Sequence, residues 1–387
     1  MSETQAPRSA PGKFGENMPA VEKPPVQTPF VAEPEAFARA LINWQREAGR
    51  KGLPWMVPDA YQRWLSEIML QQTQVAVVQD YFARFLKRFP TVADLAAADE
   101  AEVMALWAGL GYYARARNLM AAARMVVKDF NGVFPVRAHE LERLPGVGKS
   151  TAAAVASFCS GEALAICDGN VKRVLARVLA LDTPVDTARG TREVWAAAQE
   201  AIETSAGKSA PGTFNQAMMD LGAMLCTRTK PSCARCPVAA WCRAHRDGHE
   251  VVFPKKSPPR EKSRVTLRLA LVVKDSAVLL VRRPARGIWP LLYCLPEIGE
   301  GVIKEGSRPA ARIAHELTHR RLDIEIYALE DADVLALERF GKGGDVRRAP
   351  LSGIESEALP APIKTFLLAS APQAPCGRAD GGVPRSS

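Results

Sequence analysis

The sequence predicts a mainly α N-terminal domain followed by a smaller α+β domain. Three observations carry that expectation. From about residue 35 to 225, apolar residues recur at helical spacing between glycine and proline breaks. At 251–264, VVFPKKSPPREKSR interrupts the pattern with proline and lysine, as a linker would. Beyond it, the rhythm shortens to the apolar runs of strands.

The elements follow in chain order. Residues 1–34 are rich in proline, carry acids and lack an apolar core, so they predict a disordered tail rather than a signal peptide. In the helical part, YQRWLSEIML, VVQDYFARFLKRF, DEAEVMALWAGL, ARNLMAAARMVVKDF and NVKRVLARVLAL each place their apolar residues on one stripe. The domain is expected over 35–250, with the linker at 251–264. In the second domain, expected over 265–370, VTLRLALVVKD, AVLLVRRP and RLDIEIYAL predict strands. Residues 371–387 again read as a disordered tail.

Bulk composition narrows the class without naming a function. The 387 residues suffice for two domains with sizeable cores. Hydrophobic content of 47% and charged content of 24% are ordinary for a soluble globular protein. The net charge of +9 suits a polyanionic partner. No run of roughly 18 apolar residues is present, so no membrane span is predicted and the cytoplasm is the expected compartment.

LPGVGKST, residues 144–151, ends like a phosphate-binding P-loop. That loop needs a glycine five positions before its Gly-Lys pair, and Arg143 stands there. Gly146 and Gly148 instead lie close together between AHELERL and the Ala-rich STAAAVASF, which predicts helix, hairpin, helix. The first N–H groups of the second helix suit one backbone phosphate. An ordinary corner between two helices would also have this sequence.

Four of the eight cysteines fall in CTRTKPSCARCPVAAWC: Cys226, Cys233, Cys236 and Cys242, spaced C-x6-C-x2-C-x5-C. With no export signal, they read as reduced thiols or metal ligands rather than disulfides. A four-thiolate zinc site and a [4Fe–4S] cluster both fit, although the spacing is not the paired CxxC of zinc ribbons. Cys159, Cys167 and Cys294 sit in apolar surroundings and read as small core residues; Cys376 stands alone in the tail.

The cysteine spacing behind a helix–hairpin–helix with LPGVG resembles the endonuclease III-like DNA glycosylases. WLSEIMLQQTQV, GLGYYARARNL, LPGVGKSTA, DGNVKRVLAR and FNQAMMDLGAMLCTR, in that order, resemble the adenine DNA glycosylase branch, the MutY family. The likeness is close over 35–250 and looser beyond. It implies a helix–hairpin–helix glycosylase fold with a [4Fe–4S] loop, acting as a monomer on double-stranded DNA with adenine opposite 8-oxoguanine or guanine. By it, Cys226, Cys233, Cys236 and Cys242 are the cluster ligands, and Gly146 and Gly148 grip the DNA backbone.

Cleaving an adenine N-glycosidic bond needs a proton for the leaving base and a negative group beside the sugar, tasks that two carboxylates divide well. Glu67 lies on an apolar helix, which raises a carboxyl pKa. Asp168 precedes NVKRVLAR, where a capping aspartate is expected in any case. The resemblance makes Glu67 the acid, Asp168 the group at the sugar and Asn170 a support for a carboxylate. Ser150 occupies the position where the bifunctional branch has its lysine nucleophile, and serine cannot form an imine. A monofunctional enzyme is therefore expected, with Lys172 able to make only an adventitious imine. Gln71, Gln72 and Tyr112 match residues that wedge into the duplex or touch the opposite base. QQTQ would also pass as a polar helix end, and Tyr112 as core. Trp55 matches an adenine-pocket residue, while Met56 departs from the family's usual arginine.

The second domain resembles the Nudix-like 8-oxoguanine reader of that family, most clearly at GIWPLLYCLPE. Gly299 and Glu305 satisfy the start of the Nudix metal motif, but residues 313–320, IAHELTHR, lack its REUxEE core (U, aliphatic). A binding module rather than a pyrophosphatase is expected. Leu317, Thr318 and His319 stand where the family reads the lesion with Phe-Ser-His. Two rivals remain: a bifunctional glycosylase/lyase, disfavoured by Ser150, and a silent DNA-damage binder, disfavoured by the intact carboxylates.

Overall fold

The computed structural model describes residues 31–258, 261–303, 305–317, 319–330 and 345–370. Most of both predicted tails, together with Cys376 and Thr318, lie outside them. Residues 31–34 do not belong to a loose tail: Val31 is buried and α1 begins at Pro34, because that segment covers an apolar face of the helical domain.

The first part is helical. Its helices are α1 (Pro34–Ala48), α2 (Ala60–Leu70), α3 (Val75–Arg88), α4 (Val92–Ala97), α5 (Glu100–Trp107), α6 (Ala114–Asp129) and α7 (Ala138–Leu141). They continue with α8 (Lys149–Cys159), α9 (Gly169–Leu179), α10 (Ala188–Glu203), α11 (Ser205–Ser209), α12 (Pro211–Met224) and α13 (Arg243–Arg246). Local chemistry starts several of them. Asp59, Thr91, Asp99, Asp168 and Thr187 each accept a first-turn N–H, and Pro34 and Pro211 occupy first helical turns.

These helices enclose two cores. One gathers Trp64, Phe82, Phe85 and Trp107 with the inner faces of α2 to α6. The other gathers Phe37, Leu175, Val194 and Phe214 from α1, α9, α10 and α12. Helix α8 serves both: Ala152, Val155 and Ala156 face the first, Ala153 and Ala154 the second. Small side chains on opposite sides of one helix let both halves approach it closely. AHELERL yields only the single turn α7, since the chain must bend into the glycine hairpin.

The expected linker is fastened over 251–258. Phe253 is buried, Val185 N–H donates to Lys255 O at 3.2 Å, and Ser257 N–H donates to Asp186 at 2.9 Å. Lysine and proline composition signalled flexibility, but these specific acceptors hold the segment to the helical domain.

The second part is a pair of small sheets. Strands β1 (Ser263–Leu271), β5 (Ala311–Glu316) and β6 (Arg320–Ala328) form one, in the order β1-β6-β5. β1 and β6 run parallel, while β5 and β6 form a hairpin. Strands β2 (Val273–Lys274), β3 (Ala277–Arg282), β4 (Tyr293–Cys294) and β7 (Val346–Pro350) form the other, with β3 against β2, β4 and β7. Helix α14 (Ala361–Ser370) closes the core through Ile363 and Leu367. Residues 313–316 of IAHELTHR are strand, not the helix a Nudix metal motif requires.

Candidate active site

Glu67 and Asp168 come from opposite halves of the helical domain. Glu67 lies on α2, whose buried residues belong to the first core; Asp168 caps α9, which belongs to the second. Glu67 is half-buried, and among the described residues its carboxyl accepts no hydrogen bond. Its pKa is raised to about 7: burial pushes it up, Arg63 one turn earlier pulls it back, and the charge of Asp168 adds to the rise. The two carboxyls therefore share one electrostatic environment.

Asp168 is held from two directions. Its Oδ1 accepts Val171 N–H at 2.8 Å, and its Oδ2 accepts Asn170 Nδ2 at 3.0 Å. Both readings of Asp168 are thus compatible: it caps α9, and its charge reaches Glu67. Arg173 fixes Asn170 by donating to its Oδ1 at 2.8 Å, and also donates to Gly222 O at 2.7 Å and Cys226 O at 2.8 Å. Sequence reading missed Arg173, although its place one helical turn after Asn170 was a signal.

A recess opens at Arg63, one helical turn from Glu67. Met56, Arg63, Phe158, Thr213 and Gln216 line it. Arg63 stacks 4.2 Å over the Phe158 ring, and Gln216 Nε2 donates to buried Asp220 at 2.9 Å. Arg63 and Glu67 are four residues apart on one helix face, so the recess adjoins the carboxyl. Trp55 is not part of that lining; it is buried, with its ring 5.4 Å from Phe82. Arg63, Phe158, Thr213 and Gln216 come from three helices, and no local motif marks them.

The hairpin is exposed at Gly146, Gly148 and Lys149. A Cβ on Gly146 would stand 2.8 Å from Asn118 Cβ, and its φ of 78° also requires glycine. Gly148 is the N-cap of α8, whose first N–H groups have no intrahelical acceptor and face outward. Ser150 Oγ accepts Cys167 N–H at 3.0 Å, immediately before Asp168. Lys172 Nζ donates to Thr191 Oγ1 at 2.8 Å.

Gln72 and Tyr112 project from neighbouring turns and share a backbone trait: φ is 60° and 49°, the left-handed region. Tyr112 is half exposed, which excludes the core reading. Buried Arg115 ties the two turns together. Its Nη1 donates to Ile68, Met69 and Gln71 carbonyls at 2.6–2.9 Å, and its Nη2 to Leu110 and Gly111 carbonyls at 3.2–3.3 Å. Gln71 itself reaches Thr151 Oγ1 at 3.4 Å.

Cys226, Cys233, Cys236 and Cys242 line one recess with Val174, Arg177 and Leu221. Burial, and then the other three thiols, push Cys236 up to about 12; burial with Glu250 pushes Cys233 up to about 11. Four converging soft donors, of which Cys233, Cys236 and Cys242 resist losing their protons, fit a positively charged metal centre, which would relieve that repulsion. Buried Arg177 fastens the loop, donating to Thr227 O at 2.7 Å, Arg228 O at 3.0 Å and Cys226 Sγ at 3.2 Å. His245 Nδ1 and Glu250 Oε1, 2.6 Å apart, stand beside Cys233. Cys167 and Cys294 are buried as expected; Cys159 is half-buried near Arg63.

In the second part, His319 is exposed in the β5–β6 turn, which Leu317 N–H closes by donating to Arg320 O at 2.8 Å. Leu317 packs on the sheet core.

Residues 65–197 match the family described as HhH-GPD superfamily base excision DNA repair protein, and residues 268–369 match the NUDIX domain. The human protein named adenine DNA glycosylase is 34% identical over 374 residues, covering 77% of this chain and 68% of its own. The protein of that name from Buchnera aphidicola subsp. Baizongia pistaciae is 36% identical over 263 residues, covering 67% and 73%. The mouse protein of that name is 33% identical, covering 77% and 71%.

Proposed function

Because the chain belongs to the adenine DNA glycosylase family, we propose that its substrate is adenine opposite 8-oxoguanine or guanine and its product an abasic site in an uncut strand. The observation that carries the chemistry is Glu67, an acid with its pKa raised to about 7 beside a fixed aspartate. At neutral pH a large fraction of Glu67 is protonated and able to give its proton to adenine N7. The C1′–N9 bond then breaks with its electron pair leaving on the base. Asp168 stabilises the positive sugar, or bonds to it transiently, until water adds at C1′. Asn170, held by Arg173, keeps the Asp168 carboxylate aimed. The recess lined by Met56, Phe158 and Gln216 receives the extruded base.

The remaining roles extend the same reading. Gly146, Gly148 and Lys149 grip a backbone phosphate. Gln71, Gln72 and Tyr112 fill the gap left by the base. Thr318 and His319 engage the opposite base. Cys226, Cys233, Cys236 and Cys242 hold a [4Fe–4S] cluster, which when bound braces residues 226–242 by cross-linking them. Ser150 has no amine nitrogen with which to form an imine, so strand cleavage is outside the chemistry.

A duplex with one adenine opposite 8-oxoguanine, labelled on the adenine strand, tests the reading. Breaks at that adenine only after hot alkali are expected. Equal breakage without alkali would make the enzyme a lyase. No breakage in either lane, with DNA binding intact, would remove the adenine assignment.

A further inference from the structure

The turn that carries Tyr112 is attached to the C-terminal domain by the next residues of its own helix. Tyr113 Oη donates to Leu359 O at 3.4 Å, and Arg117 Nη1 donates to Pro290 O at 3.1 Å. From the preceding helix, Glu100 faces Arg282 at 3.6 Å. The helical domain thus grips one short loop, 287–292, and the segment beside it.

That loop is strained. Trp289 and Leu291 have φ of 51° and 62°, a conformation costly for bulky side chains. Three guanidinium groups donate to its carbonyls. Arg283 Nε takes Ile288 O at 2.8 Å, Arg117 takes Pro290 O, and Arg282 Nε takes Leu291 O at 3.4 Å. Two of these come from the C-terminal domain and one from the helical domain, so both domains hold carbonyls of the same loop.

The loop's other side reaches the β5–β6 turn. The Trp289 ring lies 6.0 Å from the His315 ring on β5, and Trp289 and Leu317 pack on the same core. Two residues beyond Leu317 is exposed His319. Contact is therefore continuous from the β5–β6 turn through His315, Trp289 and Pro290 to Arg117 and the base of Tyr112.

We propose that loop 287–292 couples the two DNA-facing turns, with Arg117 and His315 as positioning residues through which the β5–β6 turn sets the insertion of Tyr112 into the duplex. This rests on the reading of that turn as the one that engages the opposite base. Coupling of this kind is a free-energy difference between two engaged states, and the strained loop is the element both ends bias.

The test uses full-length protein and two duplexes, adenine opposite 8-oxoguanine and adenine opposite guanine. Single-turnover base release is measured on both. A 2-aminopurine next to the opposite base reports wedge insertion by its fluorescence. Arg117→Gln is expected to slow release opposite 8-oxoguanine about tenfold, within the usual range of site-to-site coupling, and release opposite guanine less than twofold. Its fluorescence gain falls towards that of Tyr112→Ala. Arg117→Lys, which still donates to Pro290 O, recovers most of both. The double variant Arg117→Gln/His315→Ala falls no further than either single. Equal slowing on both duplexes, unchanged fluorescence, or multiplied effects in the double variant would overturn the coupling. An unsubstituted enzyme with no preference between the duplexes would instead remove the reader role, and that result is read before any variant is made.

Discussion

A methyl group on Gly222 would stand 2.5 Å from Asn170 Cβ and 3.0 Å from its Cα. Gly222 therefore sets how closely α12 approaches the turn that carries Asp168. Alanine in a helix interior normally stabilises by about 1 kcal/mol relative to glycine. Here the clash is with backbone and Cβ, which cannot rotate away. Gly222→Ala is expected to lower Tm rather than raise it, and to slow base release at least tenfold with DNA affinity nearly unchanged. Calorimetry and single-turnover rates on one preparation check both; a higher Tm would mean the packing is looser than described.

Glu67→Gln removes the proton donor and is expected to slow base release by about 10²–10⁴-fold. For the unsubstituted enzyme, the rate should fall as pH rises through about 7, since only the protonated carboxyl donates. Stability gives a second sign. Burial raises the folded pKa above the unfolded one, so the folded state holds the extra proton between the usual glutamate value and about 7. Stability from this group is complete below that window and falls as pH rises across it. Glu67→Gln should thus raise Tm at pH 8 and leave it nearly unchanged at pH 4. A flat rate profile from pH 5 to 9 would count against Glu67 as the acid.

Arg115 serves carbonyls from two turns with one planar group, and lysine cannot reproduce that fork. Arg115→Lys leaves buried carbonyls unpaired and is expected to cost about 3 kcal/mol. Because those carbonyls flank Gln72 and Tyr112, DNA binding should weaken alongside stability. Denaturant midpoints and duplex affinity together test this; a stable variant with weak binding would make Arg115 a DNA contact instead.

Cys236 has the most strongly raised thiol among the four cysteines of residues 226–242. Cys236→Ser is expected to give a colourless protein with protease-sensitive bonds near 226–242. Iron and sulfide assays and limited proteolysis check it. An unsubstituted protein that is itself colourless and binds one zinc per chain would replace the cluster with a zinc site.

Periodicity, capping residues, glycine spacing and clustered cysteines are local signals, and the sequence determined what they encode. The 3.6-residue stripes marked α2, α6 and α9; Asp168 marked the start of α9; and Cys226, Cys233, Cys236 and Cys242 marked one loop. The strands β1, β3 and β6 were legible for the same reason. Tertiary structure decided what depends on chain separation. It made β6 the parallel neighbour of β1, fastened residues 251–258 to the helical domain, and left Trp55 in the core with Met56 at the recess. It also brought Glu67 within the field of Asp168 and set Arg173 behind Asn170. An acid's pKa depends on who surrounds it, and those neighbours are assembled only when the Ala-faced α8 draws two helical cores together.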